Sequence, residues 1–325
     1  KESYMFPNTH FAKAKKYWYM GKIYDWSEGI FHPMIHALHY GTCTFEGIRA
    51  YPTEKGPAIF RLKEHIDRFF HSAEIIKMKV PYSKEEVIEA CQQVIRENEL
   101  ESAYIRPLLF YSYGNLGLVP KFSPVELVIG AWEWGAYLGE KARQGVNTCI
   151  VPKRRIHNSQ LDLSAKLGGV YVQSMINGTE ARERGYDEAI FLNLEGRIAE
   201  GPGENICVVK NGVLHTNNRA ESILEGITRT SLLEIAADLG YKTKVAPISK
   251  EDLFQADEAF FCGTAVELTS IVKVADFSEN PVDGPVYTIG NGLPGPITSH
   301  LTEAYKAVVT GKNPKYEKWL TYVKS

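Results

Sequence analysis

The chain has 325 residues, with 37 Lys and Arg against 39 Asp and Glu and a formal net charge of −2. This length predicts two domains, because a single core rarely grows beyond about 250 to 300 residues. The balanced charge, without a long basic run, excludes nucleic acid and anionic membranes as expected partners. No apolar stretch approaches the roughly 18 residues that a membrane-spanning helix needs.

The five cysteines lie far apart and form no CxxC pair. This usage is typical of free thiols in a reducing compartment, so we expect a cytoplasmic protein. The chain begins with Lys1, and a removed leader or organellar transit segment therefore stays open as an alternative.

The first part of the chain alternates short strands with helices. Ser83 and Glu86 form a capping-box pattern ahead of apolar residues at helical spacing, which predicts a helix from this point. The other predicted elements are a hairpin over 17–25, a strand over 57–62, a helix over 64–76, and strands over 103–111 and 124–132.

Small residues and glycines follow Trp134 and interrupt this pattern, which is typical of a domain linker. We therefore expect a small N-terminal domain over 1–134, a linker over 135–145 and a large C-terminal domain over 146–325.

The second half also mixes strands and helices, without strict βαβ alternation, which favours an α+β fold. Asn211-Gly212 predicts a tight hairpin turn, and Gly185 suits the residue after a helix. Strands are predicted over 145–152, 188–193, 205–210, 213–216 and 259–262, and helices over 169–184, 228–239 and 297–309, with a short helix capped by Ser249.

Two segments contain residues suited to covalent chemistry on a heteroaromatic cofactor. Lys166 lies among small residues just ahead of a predicted helix, where it is either a solvated surface lysine or a Schiff-base nucleophile. Glu200 lies in a Gly/Pro turn between apolar strands, where it is either solvated or faces a pyridine nitrogen and keeps it protonated.

Two further features suit a phosphate group. The segment 225–229 opens a helix, whose first N–H groups and the Thr228 hydroxyl point at whatever lies before it, although Thr228 could serve only as an N-cap. Arg68, on a helix directly after a strand, could add a bidentate charge or form a surface ion pair.

Other polar groups suit a carboxylate or a metal. The turn after Cys262 either reverses the chain or forms a backbone nest for a carboxylate. Arg106 lies inside an apolar run, so it needs an anionic partner, either a structural Glu or a substrate carboxylate. His36 and His39 lack a third ligand nearby, which favours packing or hydrogen bonding over a metal site.

Seven segments carry a stronger signal together than any of them carries alone. In order along nearly the whole chain they are HALHYGTCTFEGIR, SAYIRP, WGAYLG, SAKLGGVY, AEGPGENICVVKNGVLHT, LEGITR and FCGTAVELTS. They resemble the class IV, fold-type IV pyridoxal-phosphate enzymes, and specifically the branched-chain aminotransferases. The resemblance implies a two-domain α+β fold in which a larger C-terminal domain has a barrel-like β core.

The resemblance also implies pyridoxal 5′-phosphate as cofactor and no metal. Lys166 matches the Schiff-base lysine that moves the substrate proton, Glu200 the partner of the pyridine nitrogen, and Tyr171 the neighbour of the phenolic oxygen. The phosphate would be bound by Arg68, Gly226, Ile227, Thr228, Gly263 and Thr264, the substrate carboxylate by Thr264, Ala265 and Val266, and the substrate side chain by Tyr40, Phe45, Arg49, Arg106, Trp134 and Tyr137.

The implied reaction moves an amino group between L-leucine, L-isoleucine or L-valine and 2-oxoglutarate with ping-pong kinetics. The implied assembly is a homodimer or a higher homo-oligomer, in which Tyr40 and Arg49 reach across from the partner subunit.

A D-amino-acid aminotransferase and an aminodeoxychorismate lyase are the alternatives on the same fold, because these subclasses differ by few residues. A non-catalytic pyridoxal-phosphate carrier would need neither Lys166 nor Glu200. A dinucleotide-dependent dehydrogenase is disfavoured because no GxGxxG segment joins a strand to a helix.

Overall fold

The structure is a computed structural model that describes residues 11, 13–29, 31–134 and 144–324. The helices are α1 (His36–Tyr40), α2 (Leu62–Ile75), α3 (Lys84–Asn98), α4 (Tyr171–Glu183), α5 (Ile227–Asp238), α6 (Lys250–Phe254) and α7 (Pro296–Val309). The strands are β1 (Lys16–Tyr19), β2 (Lys22–Asp25), β3 (Cys43–Phe45), β4 (Ile48–Tyr51), β5 (Ala58–Phe60), β6 (Ala103–Tyr111), β7 (Val125–Trp132), β8 (Val146–Ile150), β9 (Glu188–Ile190), β10 (Asn205–Lys210), β11 (Val213–Thr216), β12 (Lys242–Val245), β13 (Glu258–Gly263), β14 (Glu267–Asp276), β15 (Val286–Thr288) and β16 (Leu320–Tyr322).

The described chain divides into two compact units. The first comprises the described residues up to 134 together with 167–169 and 308–324, and the second comprises 144–166 and 170–307. The C-terminal segment belongs to the first unit because β16 pairs with β5. Residues 135–143 of the predicted linker lie outside the described residues, and the predicted domain boundaries stay a prediction.

The first unit is built on an antiparallel sheet in the order β16-β5-β4-β6-β7-β1-β2, with β3 paired to β6. Helices α2 and α3 pack on the sheet through one face each. On α2, Leu62, Ile66, Phe69 and Ala73 are buried at intervals of three or four residues, the spacing that places side chains on one helix face. The predicted capping box of Ser83 and Glu86 is present at the start of α3.

The second unit is built on a mixed sheet in the order β12-β11-β10-β13-β14-β8-β9, with β15 paired to β14. The two ends of this sheet approach each other, since Leu192 bridges Ile198 and the Ile198 amide donates to the carbonyl of Ile248. The apolar interior includes Ile206 and Phe261, both fully buried. The predicted α+β fold with a barrel-like C-terminal core is therefore confirmed.

The predicted turn signals also hold. Asn211 and Gly212 both adopt positive φ, 49° and 73°, between the antiparallel strands β10 and β11. Gly185 follows α4 with a φ of 85°, a conformation that glycine adopts at little cost. Among the described residues, no helix has both the length and the apolar character needed to cross a bilayer.

Candidate active site

Lys166 is paired with Tyr171 in the second unit. The Lys166 Nζ donates to the Tyr171 hydroxyl at 2.5 Å and lies 4.9 Å from the centre of its ring. Both side chains are partly buried, and a 3₁₀ turn over Gly168–Val170 leads from one to the start of α4. Lys166 is therefore no solvated surface lysine.

Glu200 is a buried carboxylate, only 4% exposed, rather than part of a solvated loop. Its Oε1 lies 3.0 Å from Nε and 2.9 Å from Nη2 of Arg155, which is itself 5% exposed. Its Oε2 accepts from the Leu224 amide at 3.2 Å and from the Asn205 side-chain amide at 3.3 Å. Burial raises the pKa of Glu200, while the positive charges of Arg155 and Lys166 oppose that shift.

Glu204, four residues further along the same turn, has a different environment. It is 5% exposed and accepts a hydrogen bond from the Gly203 amide at 3.0 Å. Burial, together with the negative charge of Glu188, raises the pKa of Glu204 to about 8. The turn thus holds one carboxylate with cationic neighbours, Glu200, and one carboxyl group that is mostly protonated at neutral pH.

The raised pKa of Glu204 predicts a pH-dependent stability. Unfolding lets Glu204 release its proton at an ordinary glutamate pKa of about 4.3, so between that pH and about 8 the folded state binds more protons. The free energy of unfolding should therefore fall as the pH rises, by up to about 1.4 kcal/mol per pH unit. Urea denaturation at pH 5 and pH 7.5 should show this slope for the wild-type chain and a flatter one for Glu204→Gln. Equal slopes would contradict a neutral Glu204.

The start of α5 is where the predicted phosphate residues lie. Gly226 is the N-cap and donates its amide to Asn205 Oδ1 at 2.9 Å, and a Cβ at this position would overlap that oxygen. Thr228 is therefore not the N-cap, and that alternative is wrong. Ile227 and Thr228 occupy the first turn, where helical N–H groups have no partner within the helix, and Thr228 is 2% exposed.

The predicted carboxylate turn is the loop of a β-hairpin. Gly263 at the end of β13 pairs with Glu267 at the start of β14, which leaves Thr264, Ala265 and Val266 as a three-residue loop. Thr269 donates its hydroxyl to the Val266 carbonyl at 3.0 Å. The turn therefore reverses the chain, as the simpler interpretation expects, and its three residues lie at the end of both strands.

Asn205 joins these parts of the second unit. Its side chain contacts Glu200 and Gly226, and its backbone pairs with Cys262, which only Gly263 separates from the hairpin loop. The structure thereby brings Glu200, the start of α5 and the turn at 263–266 to one end of the sheet. Asn205 and Arg155 are site residues that the sequence analysis missed. Arg155 carries no signal like that of Arg106, because it follows Pro152 and two other basic residues instead of lying inside an apolar run.

In the first unit, Arg106 lies among aromatic rings. Its guanidinium is 4.6 Å from the ring of Phe45 and donates to the Tyr104 hydroxyl at 2.7 Å. Tyr104 in turn stacks on Trp134, with ring centres 4.5 Å apart. Within the described part of the chain, Arg106 has no ion pair and its buried Nε has no hydrogen-bond partner. The structural Glu that was one alternative for Arg106 is absent from those residues.

The other predicted residues of the first unit are placed as follows. Arg68 forms an ion pair with the fully buried Glu46, so its partner is not at the surface. Tyr40 is exposed and donates its hydroxyl to the Leu116 carbonyl at 3.0 Å. Arg49 lies 4.7 Å from the centre of the Tyr51 ring. Tyr137 lies outside the described residues.

The two histidines make hydrogen bonds, as predicted. The ring nitrogens of His36 lie 2.8 Å from the Thr42 hydroxyl and 3.0 Å from the Gly117 carbonyl, and His39 is 3.2 Å from the Pro33 carbonyl. Across the described ranges, no three acidic, His or Cys side chains are grouped to hold a metal ion.

The buried Glu200 with its cationic neighbour Arg155 and the N-terminus of α5 lie at one end of the sheet, and comparison with known proteins shows the family to which the chain belongs. The Amino-transferase class IV family matches residues 44–274, more than half of the chain. The chain belongs to the class IV aminotransferases. The predicted family is therefore confirmed.

Individual members of this family resemble the chain over nearly its whole length. A branched-chain-amino-acid aminotransferase of Pseudomonas aeruginosa is 44% identical over 308 residues, which cover 94% of this chain and 97% of that protein. The Escherichia coli branched-chain amino acid aminotransferase structure has a TM-score of 0.90 at 39% identity, covering 96% of this chain and 100% of the other. The structure of the Thermoproteus uzoniensis branched-chain aminotransferase with norvaline has a TM-score of 0.88 at 40% identity, with the same coverage. Another branched-chain amino acid aminotransferase structure, complexed with N-(5′-phosphopyridoxyl)-L-glutamate, has a TM-score of 0.88 at 41% identity.

Proposed function

We propose that Lys166, Tyr171, Glu200 and Arg155 form the catalytic centre of this aminotransferase. The enzyme depends on pyridoxal 5′-phosphate and transfers the amino group between L-leucine, L-isoleucine or L-valine and 2-oxoglutarate. The observation that carries the residue assignment is the buried Glu200, whose charge interacts with both Arg155 and Lys166.

The residues of the second unit suit the cofactor's chemical groups. Lys166 offers a primary amine for the aldehyde, and the adjacent Tyr171 hydroxyl can bond the phenolic oxygen. The charged Glu200 carboxylate can accept a hydrogen bond from the protonated pyridine nitrogen, because Arg155 and Lys166 favour the charged form of Glu200. The first turn of α5, with Ile227 and the buried Thr228, can bind the phosphate.

When bound, the cofactor supplies an electron sink for the substrate α-carbon. The Lys166 amine would hold the cofactor and, once the substrate amine had taken its place, would move the proton between the substrate Cα and the cofactor C4′. The carboxylate of Glu200 holds the proton on the pyridine nitrogen, while Arg155 orients that carboxylate. The loop of Thr264, Ala265 and Val266 orients the α-carboxylate through its backbone amides.

The first unit supplies two kinds of side-chain recognition. Phe45 and Trp134 offer apolar surface for leucine, isoleucine and valine. Arg106, held over Phe45 and by Tyr104, can pair with the γ-carboxylate of glutamate through charge-assisted hydrogen bonds.

Arg106→Met tests whether Arg106 recognises the γ-carboxylate of glutamate and 2-oxoglutarate without contributing to leucine binding. Loss of a hydrogen bond to a charged group should raise the KM for 2-oxoglutarate about 30-fold, while the rate of the leucine half-reaction stays within about threefold. Stopped-flow measurement of each half-reaction separates the two effects. Arg96→Met, at a partly exposed arginine of α3 that pairs with Glu89, is the matched control and should change neither. Equal losses with leucine and 2-oxoglutarate would contradict the assigned role.

The two alternatives on the same fold are distinguished by the substrate of the first half-reaction. Purified holoenzyme should lose its visible cofactor band with L-leucine and not with D-alanine, in the absence of an oxo acid. A response to D-alanine alone would indicate a D-amino-acid aminotransferase, and pyruvate release from aminodeoxychorismate would indicate the lyase. A chain that binds the cofactor without any response would be a carrier.

Steady-state rates should give parallel double-reciprocal lines, as ping-pong kinetics require.

We also propose that the enzyme is a homodimer. An apolar patch comprises Leu38 and Tyr40 on α1 and Leu118 and Phe122 in the loop between β6 and β7, with exposed fractions of 70%, 45%, 75% and 74%. The hydrogen bond from Tyr40 to Leu116 places the two halves of this patch side by side. Contiguous apolar surface of this kind is typical of protein interfaces, and it would bring Tyr40 to the partner subunit.

Sedimentation tests the assembly. The wild-type chain should sediment at twice its own mass or more, and the double variant Leu118→Glu/Phe122→Glu at the mass of one chain, because charges at an interface centre are costly to bury. Met175→Glu, on exposed α4 surface, is the control. A monomeric wild-type chain would rule the proposal out.

All five cysteines are free thiols, which supports a reducing, cytoplasmic location.

A further inference from the structure

Glu46 is a buried charge with no role in the mechanism above. It lies in the turn between β3 and β4 with no exposed surface, and its backbone amide donates to the Pro107 carbonyl at 3.0 Å. An isolated carboxylate in such a place would be strongly unfavourable, so its partners indicate what it does.

The partners of Glu46 are two residues on one face of α2. Arg68 donates from Nε to Oε1 at 2.7 Å and from Nη2 to Oε2 at 2.9 Å, and His65 Nδ1 lies 2.8 Å from Oε2. This paired contact fixes the plane of the guanidinium as well as its position. Burial would raise the pKa of Glu46, but the charges of Arg68 and His65 outweigh it and hold the pKa well below its usual range.

Holding α2 on the sheet does not require this ion pair. Ile66 and Phe69, on either side of Arg68 in the sequence, are fully buried in the apolar core. A buried ion pair usually contributes little net stability compared with apolar residues of the same size. What the pair provides and apolar packing does not is a defined orientation for one guanidinium group.

We propose that Glu46 is a positioning residue that fixes the Arg68 guanidinium for the cofactor phosphate. This rests on the proposed function and on the assignment of Arg68 to that phosphate, which the resemblance to the family implies. Phe45, directly before Glu46, contacts the Arg106 guanidinium, so the same turn connects the phosphate-binding arginine to the substrate side-chain pocket.

The test compares two ligands that differ only in the phosphate. Apoenzyme is titrated with pyridoxal 5′-phosphate and with pyridoxal, and binding is followed by the visible absorbance band. Glu46→Gln should raise the dissociation constant of pyridoxal 5′-phosphate about tenfold and that of pyridoxal less than about twofold. A merely structural role would weaken both ligands alike. Glu64→Gln, at a partly exposed carboxylate on the same helix that also pairs with an arginine, Arg61, is the matched control and should change neither.

A second variant separates orientation from charge. Glu46→Asp keeps the negative charge but shortens the side chain by one methylene, so the carboxylate no longer reaches Arg68 in the same geometry. If Glu46 positions Arg68, this variant should bind pyridoxal 5′-phosphate more weakly and pyridoxal as before. If Glu46 only offset the charge of Arg68, Glu46→Asp would have no effect and Glu46→Gln would bind pyridoxal 5′-phosphate more tightly; either result overturns the proposal. Glu46→Asp also serves if the Gln variant does not fold.

Arg68→Ala distinguishes failure of the positioning role of Glu46 from failure of the assignment of Arg68 to the cofactor phosphate. It should weaken pyridoxal 5′-phosphate specifically, and the double variant Glu46→Gln/Arg68→Ala should bind no worse than Arg68→Ala alone, since the two residues act as one unit. Unchanged affinity in Arg68→Ala would refute the phosphate assignment. Additive losses in the double variant would refute only the positioning role of Glu46.

Discussion

Lys166→Ala should abolish turnover of L-leucine, with a loss of at least about 10³-fold in kcat, because it removes both the covalent attachment and the proton carrier. Because the Lys166 Nζ donates a hydrogen bond to the Tyr171 hydroxyl, the variant also removes this hydrogen bond. The visible band of covalently bound cofactor should disappear even when pyridoxal 5′-phosphate is added in excess.

The control for this variant is Lys153→Ala. Lys153 is exposed and forms an ion pair with Glu180 on α4 at 2.9 Å, so its loss removes a lysine charge near the same helix without touching the site. Its activity and absorbance band should stay at wild-type values. A Lys166→Ala enzyme that kept the band, or more than a few per cent of its activity, would show that another amine carries the cofactor.

Local sequence patterns predicted the elements that have a strong internal signal. The capping box of α3, the Asn211-Gly212 turn and the long strand β6 were all predicted from adjacent residues. The strand β12 was not, because its sequence Lys-Thr-Lys-Val is exposed throughout and is extended only through parallel pairing with β11. Strand β16 was missed for a similar reason, since its partner β5 is far away in sequence.

The candidate site shows the same limit. Lys166 and Glu200 could be singled out because small residues or a Gly/Pro turn surround each of them. Arg155 and Asn205 could not, because their roles depend on contacts with Glu200 across 45 and 5 residues of sequence, respectively. Glu46 was quoted within a family segment, yet only the fold reveals that it holds Arg68.

Glu200→Gln should lower kcat about 10²- to 10³-fold, the range found when a single preorganised electrostatic group is removed from an active site. The amide keeps the volume of the carboxylate, so Asn205 and the Leu224 amide retain an oxygen to donate to. What is lost is the negative charge that keeps the pyridine nitrogen protonated. Glu204→Gln is the matched control at pH 7, because Glu204 is largely neutral there and lies in the same buried turn.

The contribution of Arg155 follows from the same charge argument. Burial raises the pKa of Glu200, and Arg155 is the largest influence that opposes it. Arg155→Met should therefore favour the neutral form of Glu200, and the kcat of this variant should recover as the pH is raised and Glu200 ionises. The kcat of Glu200→Gln should not recover, because glutamine cannot become charged. Stopped-flow half-reactions with L-leucine between pH 6.5 and 9.5 would measure both profiles. If Arg155→Met were pH-independent, Arg155 would act by packing and not through the charge of Glu200.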